Sequence, residues 1–308
     1  MRNPESFFPV ARFGAVKAVT AVTTGLSTAG VYGVSTDAGE FFLRLHPACR
    51  SGFAEMLAAQ RLAAEQGIAP DVVLVDEAAG AMISAKVEGV PFGSALAQPD
   101  IRPRALRHLS ETLARLHAIP APDLPPFDPS LGQALWDAQS RRTGFPAWAT
   151  RLGALISSGN AALASDERRV LSHNDVNPAN LLWDGSQVWM IDWESAALAH
   201  PYLDLATFAT FANLSDDEAI DLLAIQEGSA INSEQRTTFF SLHDLACVLY
   251  GAVLFSLVPD LTEIDFKSRD ETLTLPECYV RLVKGELDLK TSVGQALLGA
   301  AILRQAPI

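Results

Sequence analysis

Asp175, Asn180 and Asp192 lie in two short stretches, LSHNDVNPANLLW (residues 171–183) and VWMIDWESA (188–196). Two carboxylates and a carboxamide are oxygen donors only, which suits a hard cation such as magnesium that also keeps waters and phosphate oxygens in its shell. His173 and Asp175, two positions apart, also suit a metal-dependent hydrolase. The hydrolase wants further histidines, and His200 is the one other histidine of this region. The structural alternative is that Asp175, Asn177 and Asn180 shape tight turns around Pro178. For Asn177 the turn role is preferred; for Asp175, Asn180 and Asp192 taken together, the chemical role is. Each polar group adjoins an apolar run, Leu181–Leu182–Trp183 on one side and Val188–Trp189–Met190–Ile191 on the other. A loop fed by a buried strand is where chemistry tends to sit.

Other residues supply charge or backbone donors. In FFLRLHP (41–47), strand alternation sets Phe42 and Arg44 on one face and Leu43 and Leu45 on the other. A cation inside an apolar strand needs a partner, and Glu55 on the following helix is the expected one, ahead of Glu65. GLSTAGVY (25–32) carries two glycines at phosphate-loop spacing, but Val31-Tyr32 follows where Lys-Ser or Lys-Thr belongs. Placed between two strands, Gly25, Ser27, Thr28 and Gly30 make either an ordinary hairpin or a turn whose backbone amides cover phosphates. Asp204, in HPYLDLATF (200–208), either braces the polar loop or favours a helix N-terminus by its charge.

The elements that position these residues are legible as pattern. KAVTAVTT (17–24), VYGVST (31–36), FFLRLHP (41–47), DVVLVD (71–76) and AMISAKV (81–87) read as strands, with one helix between the third and fourth that ends at Gly67 and Pro70. From Arg102, Leu106, Leu109, Leu113 and Leu116 repeat at helical spacing. PAPDLPPFDP (120–129) is a surface connector. Helices follow to the C-terminus, interrupted by LLW and VWMID as short strands, and SDDE (215–218) is a capping box. The expected fold is therefore α+β: a small antiparallel-sheet lobe with one helix over residues 1–87, and a larger, mainly helical lobe over 88–308 carrying the polar loop.

Composition narrows the function. At 49% hydrophobic residues over 308 positions the chain is globular. A net charge of −13 argues against nucleic-acid binding and is compatible with a cationic substrate. Cys49, Cys247 and Cys278 are scattered without zinc or disulfide spacing, which fits a reduced cytoplasmic setting. No signal peptide is read at the N-terminus, and LACVLYGAVLFSLV (245–258) is expected to be a buried helix rather than a membrane span.

His173-x-Asp175-x-x-x-x-Asn180, followed by Ile191-Asp192-Trp193-Glu194, resembles the core of the aminoglycoside phosphotransferase and choline kinase superfamily, which has a two-lobed protein-kinase-like fold. "HND…NPANLLW" and "IDWE" are most similar to its choline, ethanolamine and thiamine kinase branches, and the resemblance runs from about residue 17 to about residue 212. It implies an ATP- and magnesium-dependent kinase acting on a hydroxyl of a small molecule. By it, Asp175, with His173 in the same motif, is catalytic, Asp175 being the base. Asn180 and Asp192 hold magnesium, and Glu194 assists a second metal. Arg44 meets the phosphates, paired with Glu55, and the turn of Gly25, Ser27, Thr28 and Gly30 covers them. Ser84 to Val87 binds adenine over Leu182 and Ile191. Leu26 and Ala29 depart from the glycine and asparagine that family members often carry. An amino alcohol is the expected acceptor, an aminoglycoside or another sugar hydroxyl the next. A catalytically silent nucleotide-binding partner protein is the alternative of another class.

Overall fold

The β-branched and aromatic residues of the N-terminal stretch pair as their pattern demands in the computed structural model, which describes residues 3–22, 30–46, 52–120 and 123–307. β1 (Val16–Val22), β2 (Gly30–Thr36), β3 (Gly39–Leu45), β4 (Val72–Asp76) and β5 (Ala81–Ala85) form one antiparallel sheet in the order β1-β2-β3-β5-β4. The β2–β3 turn uses Gly39 at φ 136°, a conformation that favours glycine. In β3, Leu43 faces a core of Phe7, Phe8, Phe13, Val34 and Ile83, with Leu45 packed against it. Phe13 comes from the short helix α1 (Val10–Phe13) and packs edge-on against Phe8 and Phe41 with ring centroids 5.0 Å apart. Alternation sends Arg44 to the opposite face. α2 (Phe53–Glu65) buries Met56, Leu57, Ala59, Gln60 and Ala63.

The chain forms two compact units, Met1–Leu124 with Pro178–Ala197, and Pro125–Asn177 with Leu198–Ile308. The first adds α3 (Phe92–Leu96), α4 (Arg102–His117) and a three-stranded sheet of β6 (Val90–Pro91), β8 (Leu181–Trp183) and β9 (Val188–Met190), in the order β6-β8-β9. The leucine stripe of α4, Leu106, Leu109, Leu113 and Leu116, is buried as its spacing requires. β6 pairs with β8 and α4 packs on β9, so residues 88–124 join this compact unit.

The second unit comprises α5 (Pro129–Ser140), α6 (Ala154–Ser165), β7 (Val170–Ser172), which pairs with β10 (Ala197–Ala199), α7 (Leu203–Ala212), α8 (Asp216–Glu227), α9 (Ser233–Ser256), α10 (Leu275–Val283) and α11 (Ser292–Leu303). The capping box expected at Ser215 and Glu218 opens α8. α9 is long and apolar enough to cross a membrane by length and composition. In the fold it is a core helix, burying Phe239, Leu242, Leu245, Val248 and Phe255, with α5, α6, α7 and α11 packed around it. Gly159 of α6 lets that helix close on α9, since a Cβ there would lie 2.5 Å from Leu245 Cβ. Gly159→Ala is therefore expected to destabilise the protein by about 1–3 kcal/mol through overpacking, against a gain of up to about 1 kcal/mol in helix propensity. Urea denaturation measures it, and a wild-type midpoint would contradict this approach of the two helices.

Candidate functional site

The oxygen donors of the first unit are gathered by the β8–β9 hairpin. Leu181 pairs with Met190 and Leu182 with Trp189, and beyond the last pair Ile191 N donates to Asn180 O at 2.9 Å. Asn180 thus precedes one strand and Asp192 follows the other at the same end of the hairpin. Asp192 adopts a left-handed backbone, φ 67° and ψ 68°, before the 3-10 turn Trp193–Ser195. Such a conformation costs of order 1–3 kcal/mol and persists only where its surroundings impose it. Here Trp193 is buried, with Nε1 donating to Met190 O at 3.0 Å. Met190 N in turn donates to Ile68 O at 2.8 Å, tying the hairpin to the segment after α2.

Arg44 meets this turn. Its Nη1 donates to Asp192 Oδ1 and, at 3.3 Å, to Glu194 Oε1. The Nδ1 of buried His46 lies 3.4 Å from the same Glu194 oxygen, and its ring stands edge-on to Phe53. The carboxylate partners of Arg44 are therefore Asp192 and Glu194, not the expected Glu55. The reason is that the 3-10 turn packs on α2 and brings Glu194 to the polar face of β3. All three side chains are largely buried, at 15%, 21% and 15% exposure for Arg44, Asp192 and Glu194. Two carboxylates closed around one cation are a donor set that fits magnesium. A ligand set this small leaves positions for water and phosphate oxygens. Among the described residues no group of three or more His, Cys, Asp or Glu forms a metal cluster of its own.

Pleating divides the hairpin into two faces. Leu181, Trp183, Val188 and Met190 are buried, while Leu182, Trp189 and Ile191 are half-buried on the other side. Ser84 is buried in β5 and Val87 is half-buried in the segment leading to β6. That segment runs tightly over β8: a Cβ on Gly89 would sit 3.2 Å from Trp183 O and 3.3 Å from Leu182 Cβ. Gly30 opens β2, whereas Gly25, Ser27 and Thr28 lie outside the described residues.

In the second unit the polar loop leaves β7 and is held by Asp204. This carboxylate is fully buried in the first turn of α7. Its Oδ2 accepts from His173 N at 3.1 Å and its Oδ1 from Asn174 N at 2.8 Å. Of the two sequence alternatives for Asp204, bracing the loop is the observed one. Asn174, at φ 58°, turns the chain sharply before Asp175. Asp175 Oδ1 accepts from Asn177 Nδ2 at 2.9 Å and from Tyr250 Oη at 3.0 Å, and the same hydroxyl lies 3.2 Å from Asn174 O. Asn177 N also donates to Asp175 O at 2.9 Å, so Asn177 shapes the turn, as expected, and contacts the carboxylate besides. His173, a catalytic candidate in the sequence, is fully buried, whereas Asp175 is half-buried. The backbone of His173 anchors the loop, since its amide donates to Asp204. Burial, and then the negative charge of Asp175, push the Tyr250 phenol well above its ordinary pKa, so it remains a donor. Its ring stands edge-on to Phe211 at 4.7 Å. No spacing in the sequence links Tyr250 to Asp175, since 75 residues separate them.

An antiparallel-sheet unit and a mainly helical unit, with these two loops between their elements, make up the two-lobed fold of the choline-kinase-like phosphotransferases. Residues 18–237 match the phosphotransferase enzyme family, and the chain belongs to that family. The curated protein LicA of Haemophilus influenzae is 37% identical over 71 residues, a match that spans 23% of this chain and only 26% of LicA. A choline/ethanolamine kinase family protein from Mesorhizobium loti superposes with a TM-score of 0.65 at 17% identity, covering 94% of this chain and 93% of that one. A spectinomycin phosphotransferase, solved with ADP and spectinomycin, superposes with a TM-score of 0.58 at 14% identity, covering 93% and 94%.

The brace itself is testable. Asp204→Ala leaves two buried amides without their acceptor and is expected to cost at least about 2 kcal/mol. Amide exchange at His173 and Asn174 should accelerate with it. Unchanged unfolding free energy and protection would remove Asp204 from this role.

Proposed function

We propose that this phosphotransferase moves the γ-phosphate of ATP, with magnesium, to a hydroxyl of a small amino alcohol such as choline, ethanolamine or a thiamine-like metabolite. The observation that carries the reading is the pair of carboxylates, Asp192 and Glu194, closed on a cation at the end of the hairpin whose other strand follows Asn180. That is a donor set with a use in phosphoryl transfer, where positioning and charge neutralisation do most of the catalysis.

In this reading Asp175 accepts the proton of the acceptor hydroxyl as its oxygen attacks the γ-phosphorus. Asn180 and Asp192 hold magnesium, with Glu194 beside them; the ion, when bound, neutralises phosphate oxygens. Arg44 is the protein's own cation for the phosphates, a planar fork suited to them. Residues 1–87 contribute to the nucleotide site, with Gly25, Ser27, Thr28 and Gly30 assigned to the phosphates and the Ser84–Val87 segment to the adenine. The half-buried face of Leu182 and Ile191 offers the apolar floor for that ring. The helical lobe supplies the acceptor site. ADP in the spectinomycin phosphotransferase supports a nucleotide donor. ATP and magnesium supply favour a cytoplasmic setting.

The amino-alcohol acceptor draws support from the likeness to the choline/ethanolamine kinase family protein and from the net charge of −13, which attracts a cation. The spectinomycin enzyme supports a second reading, an aminoglycoside or sugar-like acceptor.

An ATP-consumption screen over amino alcohols, thiamine, sugars and aminoglycosides tests both readings. ATP binding without turnover on the whole panel would point instead to a silent nucleotide-binding protein. Asp175→Ala is expected to melt like the wild type and to lose roughly 10²- to 10⁴-fold in turnover; wild-type rates would reject it as the base. Asp192→Ala should abolish the magnesium dependence of nucleotide binding in calorimetry, and an unchanged dependence would reject the ligand role.

A further inference from the structure

We infer that Tyr250 is a positioning residue: with Asn177 it holds Oδ1 of Asp175 and so sets the orientation of the carboxylate that takes the substrate's proton. The inference rests on Asp175 being the base. The torsion that turns a carboxylate about its Cβ–Cγ bond is broad and roughly two-fold, so an aspartate's two oxygens are not distinguished by the side chain itself. Something outside must hold the group. Here two donors from different elements reach the same oxygen, Nδ2 of Asn177 in the loop at 2.9 Å and Oη of Tyr250 on α9 at 3.0 Å. Two donors fill the lone-pair directions of one carboxylate oxygen. Oδ1 is thereby committed to orientation.

Tyr250 is suited to this task. The hydroxyl lies 3.0 Å from the carboxylate and 3.2 Å from Asn174 O, so one proton ties the side chain of Asp175 to the backbone of its own loop. The ring is fixed by its edge-on packing with Phe211, whose carbonyl in turn accepts from Tyr279 Oη at 2.6 Å. The phenol's raised pKa keeps it protonated beside an anion at neutral pH. A misplacement of about 1 Å in a reacting group can cost 10²-fold in rate, and removing this donor loosens the hold on the carboxylate.

The test is steady-state kinetics of Tyr250→Phe, which keeps the ring and its contact with Phe211 and removes only the hydroxyl, on the best acceptor from the screen. The expected result is a fall in kcat of roughly 10- to 10²-fold, with KM for ATP and for the acceptor within about twofold of wild type and an unchanged melting temperature. Asn177→Ala, which removes the second donor from a loop side chain, should show the same split and serves if Tyr250→Phe does not fold. A wild-type kcat in the folded variant overturns the inference. So does a raised acceptor KM at constant kcat, which would make Tyr250 a substrate contact. A wild-type protein inert toward every acceptor is a different result: it removes the kinase reading itself.

Discussion

A fully buried carboxylate is tolerated only where the protein supplies the hydrogen bonds that water would have made, and Asp204 meets that condition through two consecutive backbone amides, those of His173 and Asn174. The same bonds dictate the path of the chain. With both amides turned toward α7, Asn174 takes a positive φ, and the next residue, Asp175, comes within reach of α9. Removing the carboxylate would leave two buried donors stranded and the loop without a reason to bend. The helical unit is in this sense built to support one bend, with α9 as its central helix and α7 as the element that carries the brace.

The first unit solves an opposite problem, that of holding a cation in a largely buried place. Arg44 stands on the polar face of a sheet whose other face is a phenylalanine-rich core. Its charge is balanced by Asp192 and Glu194, which the 3-10 turn presents side by side. The carboxylates need the cation as much as it needs them, since two anions this close and this shielded would repel.

Much of this was legible in the sequence, for reasons that differ by residue. The five strands of the sheet and the leucine stripe of α4 follow from period alone, because each is long enough to show one. β6, β7 and β10 are two or three residues long and exist only through their partners, so no local pattern announces them. Asp175, Asn180 and Asp192 stood out because polar groups abut apolar runs. The partner of Arg44 was sought on the next helix, yet it lies 148 residues away, reached through a hairpin that docks on α2. His173 shows acid–base chemistry in the sequence, while its full burial at the end of β7 is a property of the fold alone. Tyr250 was indistinguishable from the core aromatics around it, since what sets it apart is the position of one hydroxyl.

The left-handed backbone of Asp192 carries an implication for which side chains the position will admit. Glycine enters that conformation freely and aspartate and asparagine at a lower cost than longer or β-branched residues. Glutamate, with the same charge and a longer reach, is therefore disfavoured by the main chain at this position. Asparagine passes that first filter and is excluded only by its missing charge. Two selections act in series on one residue, the earlier steric and the later electrostatic, and aspartate is the side chain that satisfies both.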